Sequence, residues 1–169
     1  MHAILLRSAM ALAVVAALAT TEARAQRNPG VDEMVKSLSP TPSGPGTRGI
    51  HVGNPEVSLN VLFATGSAEL TPQAIQTLND LGHALTNPAL AAYRFRVEGH
   101  TDTVGNRDSN KALSDRRASS VVEYLVGKFQ VDRSRLQPVG MGQDGLLVAT
   151  PDQTPELRNR RVLVVNIGS

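Results

Sequence analysis

The stretch VEGHTDTVGNRDSNKALSDRRASSVVEYL, residues 97–125, changes its hydrophobic period once, and that change decides the fold. Its first residues continue an alternation in which Tyr93, Phe95 and Val97 interleave with Arg94, Arg96 and Glu98, the period of two that turns one face of a strand inward. Gly99 and Gly105 bracket a polar loop. From about Arg107 the apolar residues Leu113, Val121 and Leu125 recur every four or eight positions, the spacing of an amphipathic helix. The segment is a strand, a loop and a helix in immediate succession.

Arg117 stands four residues after Leu113 and four before Val121, on the apolar stripe of that helix. A guanidinium so placed is costly to leave unpaired, so the pattern calls for an anion beside it, either an internal carboxylate or one carried by a ligand. Asp102 leaves the end of the strand, where a strand–helix unit brings the loop close to the start of the helix. The two charges are expected to be neighbours. Three uses fit them: an internal Asp102–Arg117 ion pair, an Asx-turn capped by Asp102, or the two halves of a site for a ligand carrying both signs.

The pattern T-D-x-x-G-(x)4-N-x-x-L-S-x-x-R-A-x-x-V resembles the signature of the OmpA-like peptidoglycan-binding domain. It is filled by Thr101, Asp102, Gly105, Asn110, Leu113, Ser114, Arg117, Ala118 and Val121. FATGSAEL at residues 63–70 and RNRRV at residues 158–162 agree in order, so the resemblance spans roughly Val57 to Ile167. It implies a two-layer α+β sandwich of order β-α-β-α-β-β, with a small mixed four-stranded sheet and helices on one face. It also implies non-covalent binding of the diaminopimelate residue of peptidoglycan stem peptides, with no catalysis and no cofactor. The D-centre of that residue is a zwitterion. Asp102 would meet its ammonium and Arg117 its carboxylate, by the planar fork that suits a carboxylate. Thr101, Asn110 and Leu113 would shape the pocket, Arg160 would lie near the groove, and Thr65 and Gly66 would form its far wall. The family commonly carries an acidic or amide residue in the stretch that is Ala64-Thr65-Gly66 here.

Composition narrows the alternatives. Apolar residues make up 41% of the 169, enough for a core built from Leu, Val, Ala and Ile, with three Phe, two Tyr and no Trp. Cysteine is absent, which removes disulfides, a catalytic thiol and the acylation site of a lipoprotein. A formal charge of +2 is too small to point to nucleic acid. Glu98, His100 and Asp102 alternate like metal ligands, but the remaining histidines, His2, His51 and His83, are scattered, and a zinc site needs three placed ligands with support behind them. His100 is therefore read as a hydrogen-bonded residue at the strand end. Ser67 and Ser114 lack a His and an acid at nucleophile spacing.

Residues 1–25 read as a signal peptide, with Arg7 before a short apolar run from Ser8 to Ala19 and an A-x-A cleavage site at Ala23-Arg24-Ala25. The run is too short to span a bilayer. The expected mature chain begins near Gln26, has no transmembrane anchor, and resides in the periplasm at the cell wall, peripheral to the outer membrane. Residues 26–55 read as a connector: an amphipathic helix over Val31–Leu38 that docks on the domain or on an envelope partner, then a Pro/Gly-rich spacer. The domain proper is expected over 56–169, with a first strand from Val57 to Phe63. Thr71-Pro72 should start a helix that ends at Asn87-Pro88. Beyond it lie a short strand from Leu136 to Val139, an irregular stretch from Met141 to Glu156, and a central strand over Arg161–Ile167 buried on both faces. The competing functional reading is a protein-interaction module that uses the same fold without binding the wall.

Overall fold

A computed structural model describes residues 27–40 and 53–169. The signal peptide and most of the Pro/Gly-rich spacer lie outside the described residues. In chain order the elements are helix α1 (Val31–Leu38), strand β1 (Glu56–Leu59), helix α2 (Pro72–Leu85), strand β2 (Phe95–His100), helix α3 (Arg107–Phe129), strand β3 (Leu136–Gly142) and strand β4 (Val162–Asn166). The strands form one sheet in the order β1-β4-β2-β3; β4 runs antiparallel to both its neighbours and β2 runs parallel to β3. The fold is the mixed α+β sandwich expected.

The core lies between the sheet and the helices. Phe95 and Val97 of β2, Leu59 of β1 and Val162 and Val164 of β4 join Leu78, Leu81 and Leu85 of α2 and Val121, Val122 and Leu125 of α3. The last strand occupies the inner position predicted. It is not closed equally on both sides: Val162, Val164, Val165 and Asn166 are buried, while Leu163 is half-buried. The helices cover one face, and Leu163 points to the other.

The short helix α1 docks on this domain. Met34 and Leu38 are 0% exposed within the core, and Asn166 Nδ2 donates to the Leu38 carbonyl at 2.8 Å. An isolated helix of eight residues is marginal; tertiary burial holds this one, and its apolar face is not free for a partner. Strand β1 ends at Leu59 and not at Phe63 because the chain turns there, the Val61 amide bonding back to the Leu59 carbonyl at 3.1 Å. Asn28, just before α1, instead covers the outer edge: its side chain accepts from the Asn60 amide at 2.7 Å and donates to the Asn60 carbonyl at 3.1 Å, groups that face away from β4. Beyond the turn Phe63 makes only an isolated antiparallel bridge to Leu70.

Strand β3 runs three residues longer than predicted, through Gly140 and Gly142, which read as loop signals. Both glycines are there for α3. A Cβ on Gly140 would lie 2.3 Å from the Asp115 amide nitrogen, and the Gly140 and Gly142 amides donate to Asp115 Oδ1 (2.5 Å) and Ser114 Oγ (2.8 Å). Gly99 of β2 faces the same helix, its missing Cβ 2.4 Å from the Ser114 carbonyl oxygen. With no side chain in the way, α3 approaches the ends of β2 and β3 closely enough to bring Arg117 over the loop that leaves β2.

Candidate functional site

At the carboxyl end of β2 the chain turns away from the sheet as Thr101-Asp102-Thr103-Val104-Gly105, and this loop is tied on two sides. Asn110, from the first turns of α3, donates to the carbonyls of Val104 (3.0 Å) and Asp102 (3.4 Å) and to Gln143 Oε1 (3.2 Å). From the other side comes the irregular segment before β4. Thr103 Oγ1 donates to the Pro151 carbonyl at 2.7 Å and accepts from the Thr154 amide at 3.1 Å. The Gln153 side chain makes a reciprocal pair with the Gly105 backbone, at 2.9 and 3.1 Å. Asp102 is 5% exposed but not sealed.

The cavity beside this loop has a volume of about 260 Å³, and Asp102, Arg117, Thr101, Asn110, Leu113, Arg160, Thr65 and Gly66 all line it. Their roles differ from those predicted in three respects. First, Asp102 and Arg117 form no ion pair with each other. Asp102 Oδ2 receives both Nη2 (2.6 Å) and Nε (2.7 Å) of Arg160, 58 residues further on, while Oδ1 receives only a long bond from the Val104 amide at 3.3 Å. Second, Arg117 is met by carbonyls and not by an acid. Its Nε donates to Ser67 O (2.9 Å) and its Nη2 to Ala64 O (3.3 Å), and the guanidinium lies over the Phe63 ring, 4.9 Å from the centroid. The stretch that departs from the family pattern thus supplies backbone oxygens in place of a carboxylate. Third, Thr101 and Asn110 are committed to the loop; the Thr101 hydroxyl donates to the Asp102 carbonyl at 3.0 Å.

Electrostatically the cavity favours an anion. Arg117, Arg160 and Arg161 line it with Asp102 as the one carboxylate among the described lining residues. Burial lowers the Arg117 pKa; Arg160 adds to that shift, Asp102 opposes it, and Arg116 acts with Arg160. An arginine so perturbed remains charged at neutral pH and gains from a bound carboxylate. The Nε–Nη2 edge of Arg117 is held by the two carbonyls, so Nη1, which has no hydrogen-bond partner among the described residues, and the second Nη2 hydrogen form the edge left for a ligand.

Phe63, Leu157 and Arg161 also line the site, and sequence reasoning missed their part in it. Phe63 could have been found, since it opens the FATGS stretch beside the predicted far wall. Glu98, His100 and Asp102 do not converge. Glu98 contacts Arg96 at 2.5 Å and His100 Nε2 at 3.4 Å, His100 Nδ1 bonds the Asp144 carbonyl at 3.1 Å as a strand-end residue, and Asp102 turns to Arg160.

His100 gives the fold a pH dependence. Burial lowers its pKa, Arg161 adds to the effect, and the Asp144 carbonyl and Glu98 oppose it. The unfolded chain therefore takes up this proton first, near pH 6.5. Stability from this group is full above that pH and falls as the pH drops through it toward the lower native value. Thermal melts at pH 7.5 and 5.5 should show a larger loss for the wild type than for His100→Gln. Equal losses would assign the acid sensitivity to other groups.

The OmpA family model matches residues 62–161. The chain is 31% identical to outer membrane protein Omp38 of Acinetobacter baumannii over 135 residues, which is 80% of this chain and 37% of that protein. It is 35% identical over 104 residues to the peptidoglycan-associated lipoprotein of Haemophilus influenzae, 62% of this chain and 66% of the other. Among solved structures, a MotB-like protein from Desulfovibrio vulgaris superposes with a TM-score of 0.58 at 26% identity, over 68% of this chain and 73% of that one. The chain thus spans little more than a third of Omp38 and just under two thirds of the lipoprotein.

Proposed function

Because this chain belongs to the OmpA family, we propose that it binds peptidoglycan non-covalently through the diaminopimelate residue of the stem peptide and holds an exported protein at the cell wall. The observation that carries this reading is the pairing of a buried, partly unoccupied guanidinium with a carboxylate whose Oδ1 receives one long bond alone, across a single cavity. An amino-acid zwitterion offers the complementary charges on one carbon. Its carboxylate meets the open edge of Arg117, and its ammonium meets Asp102 Oδ1. Binding is an exchange, since the ammonium competes with Arg160 for Asp102, and the net gain is smaller than two new ion pairs would suggest. No step of this requires a cofactor, and the protein acts as a binding module and not as an enzyme. Its site of action is the periplasm, after cleavage near Ala25; among the described residues no helix is long and apolar enough to cross a membrane.

Co-sedimentation with purified sacculi tests the proposal. The wild type should pellet and Asp102→Asn should stay in the supernatant, because the amide attracts neither the ammonium nor Arg160. Free diaminopimelate should compete; L-lysine, which lacks the second carboxylate and with it the zwitterionic D-centre, should compete far less. Equal pelleting of wild type and Asp102→Asn would remove Asp102 from the site.

A further inference from the structure

Beyond the site just described lies a second cavity of about 380 Å³ that shares Leu62, Leu157, Arg160 and Arg161 with the first. We propose that it takes a second carboxylate of the same wall peptide, the α-carboxylate of the glutamyl residue next to diaminopimelate; this rests on the peptidoglycan reading of the first cavity. Two observations define the occupant. The first is charge: Arg27 and Arg158 join Arg160 and Arg161 around the space, and no acidic residue is among the described lining residues. Two of these charges are matched from outside it. Glu156 grips Arg158 through bonds of 3.0 and 2.8 Å, and Asp102 grips Arg160. Arg161 feels Glu98 and Glu56 without a direct ion pair to either, donates Nη2 to the Gly145 carbonyl at 2.9 Å and keeps a buried Nη1 with no hydrogen-bond partner among the described residues. Arg27 has no ion-pair partner among the described residues, and its neighbour Asn28 is fixed by bonds to Asn60 and Thr77. A cavity with this excess of guanidinium calls for an anion.

The second observation is apolar. Leu147 and Leu157 border the same space and are 59% and 64% exposed, two of the three large apolar side chains left open to solvent among the described residues. A bare inorganic anion would leave them uncovered, whereas an anion carried on methylene groups covers them. A γ-linked glutamyl residue has that form, with a free α-carboxylate beside two methylenes, and its linkage to diaminopimelate keeps it at the shared wall. Engaging both cavities with one ligand raises the affinity without a second encounter.

Calorimetry on the mature chain, with three probes, tests this. They are free diaminopimelate, the tripeptide L-alanyl-γ-D-glutamyl-diaminopimelate, and the same tripeptide with the glutamyl α-carboxylate amidated. The acid tripeptide should bind about fivefold more tightly than the amide, the scale of one ion pair in a solvent-open cavity. Arg27→Glu, at an exposed position, should remove that difference while leaving free diaminopimelate binding unchanged. Equal affinity for acid and amide, or equal weakening of free diaminopimelate by Arg27→Glu, overturns the second cavity alone. Failure of all three probes to bind overturns the first cavity, and the second with it.

Discussion

Arg117→Ala is expected to abolish retention on sacculi. Arg117 is 8% exposed, and truncating one partner of a desolvated charge pair costs about 2–5 kcal/mol, from about thirtyfold to several thousandfold in affinity. The geometry also says what else the substitution does. The Ser67 carbonyl loses its Arg117 donor, the Ala64 carbonyl keeps the Ser67 amide and loses Arg117, and the Phe63 ring loses its cation, so the turn at the far wall loosens and the melting temperature falls by a few degrees. Binding and folding are separated by Arg117→Lys. Lysine restores the charge over Phe63 but has no planar fork, so it cannot hold two carbonyls and present a second edge to a carboxylate. It should recover most of the lost stability and little of the binding. Retention of both variants at the wild-type level would make Arg117 a strut for residues 64–67 and move the wall site elsewhere.

Val164→Asp should unfold the domain. Val164 is 0% exposed and lies in the inner strand, opposite Val57 on one side and Val97 on the other. A carboxylate there has no donor that the ladder does not already use, and it must be buried uncharged or expel the strand. Either outcome costs several kcal/mol, against a total stability of about 5–15 kcal/mol for a domain of this kind. Circular dichroism should show loss of the cooperative transition, while Leu163→Asp, one residue away and half-buried on the face without helices, should melt close to the wild type. A cooperative melt of Val164→Asp within a few degrees of the wild type would show that the strand tolerates charge and is not held as described.

The change of period in residues 97–125 carried the fold because periodicity reports which face meets the core, Phe95 and Val97 in β2 and one stripe of α3, although Glu98 and His100 on the other face of β2 are buried as well. It also marked Arg117 as buried. It could not say what Arg117 meets, since backbone carbonyls have no side-chain signature and Ala64 and Ser67 give no hint of accepting a charge. The partner of Asp102 was hidden for another reason: Arg160 lies 58 residues on, beyond any local pattern, and it was singled out through the family motif and not through its spacing. The segment from Met141 to Glu156 was unreadable because it is held by side chains bonding to backbone, among them Thr103, Gln153 and Asn159, and such bonds impose no period. At β1 and β3 the boundaries moved for similar reasons. A turn from Leu59 to Val61 ends one strand early, and the glycines that suggest a loop are what allow the other to run beneath α3.

The position of β4 sets the order in which the protein can form. It is the last element in sequence and sits between β1 and β2, joining a strand from residues 56–59 to one from residues 95–100. Until residues 162–166 are available, β1 has no partner in the sheet, and only the local unit of β2, α3 and β3 can begin to pair. A chain emerging amino end first from a ribosome is therefore kept from premature closure by its own topology. Once the final strand arrives, it must insert between two strands that lie about 100 and about 60 residues earlier in the chain, a step dominated by distant contacts and slow for that reason. The interval before that insertion is when Val57 and Leu59 are most exposed to the wrong strand, so it is where a chaperone would have most effect.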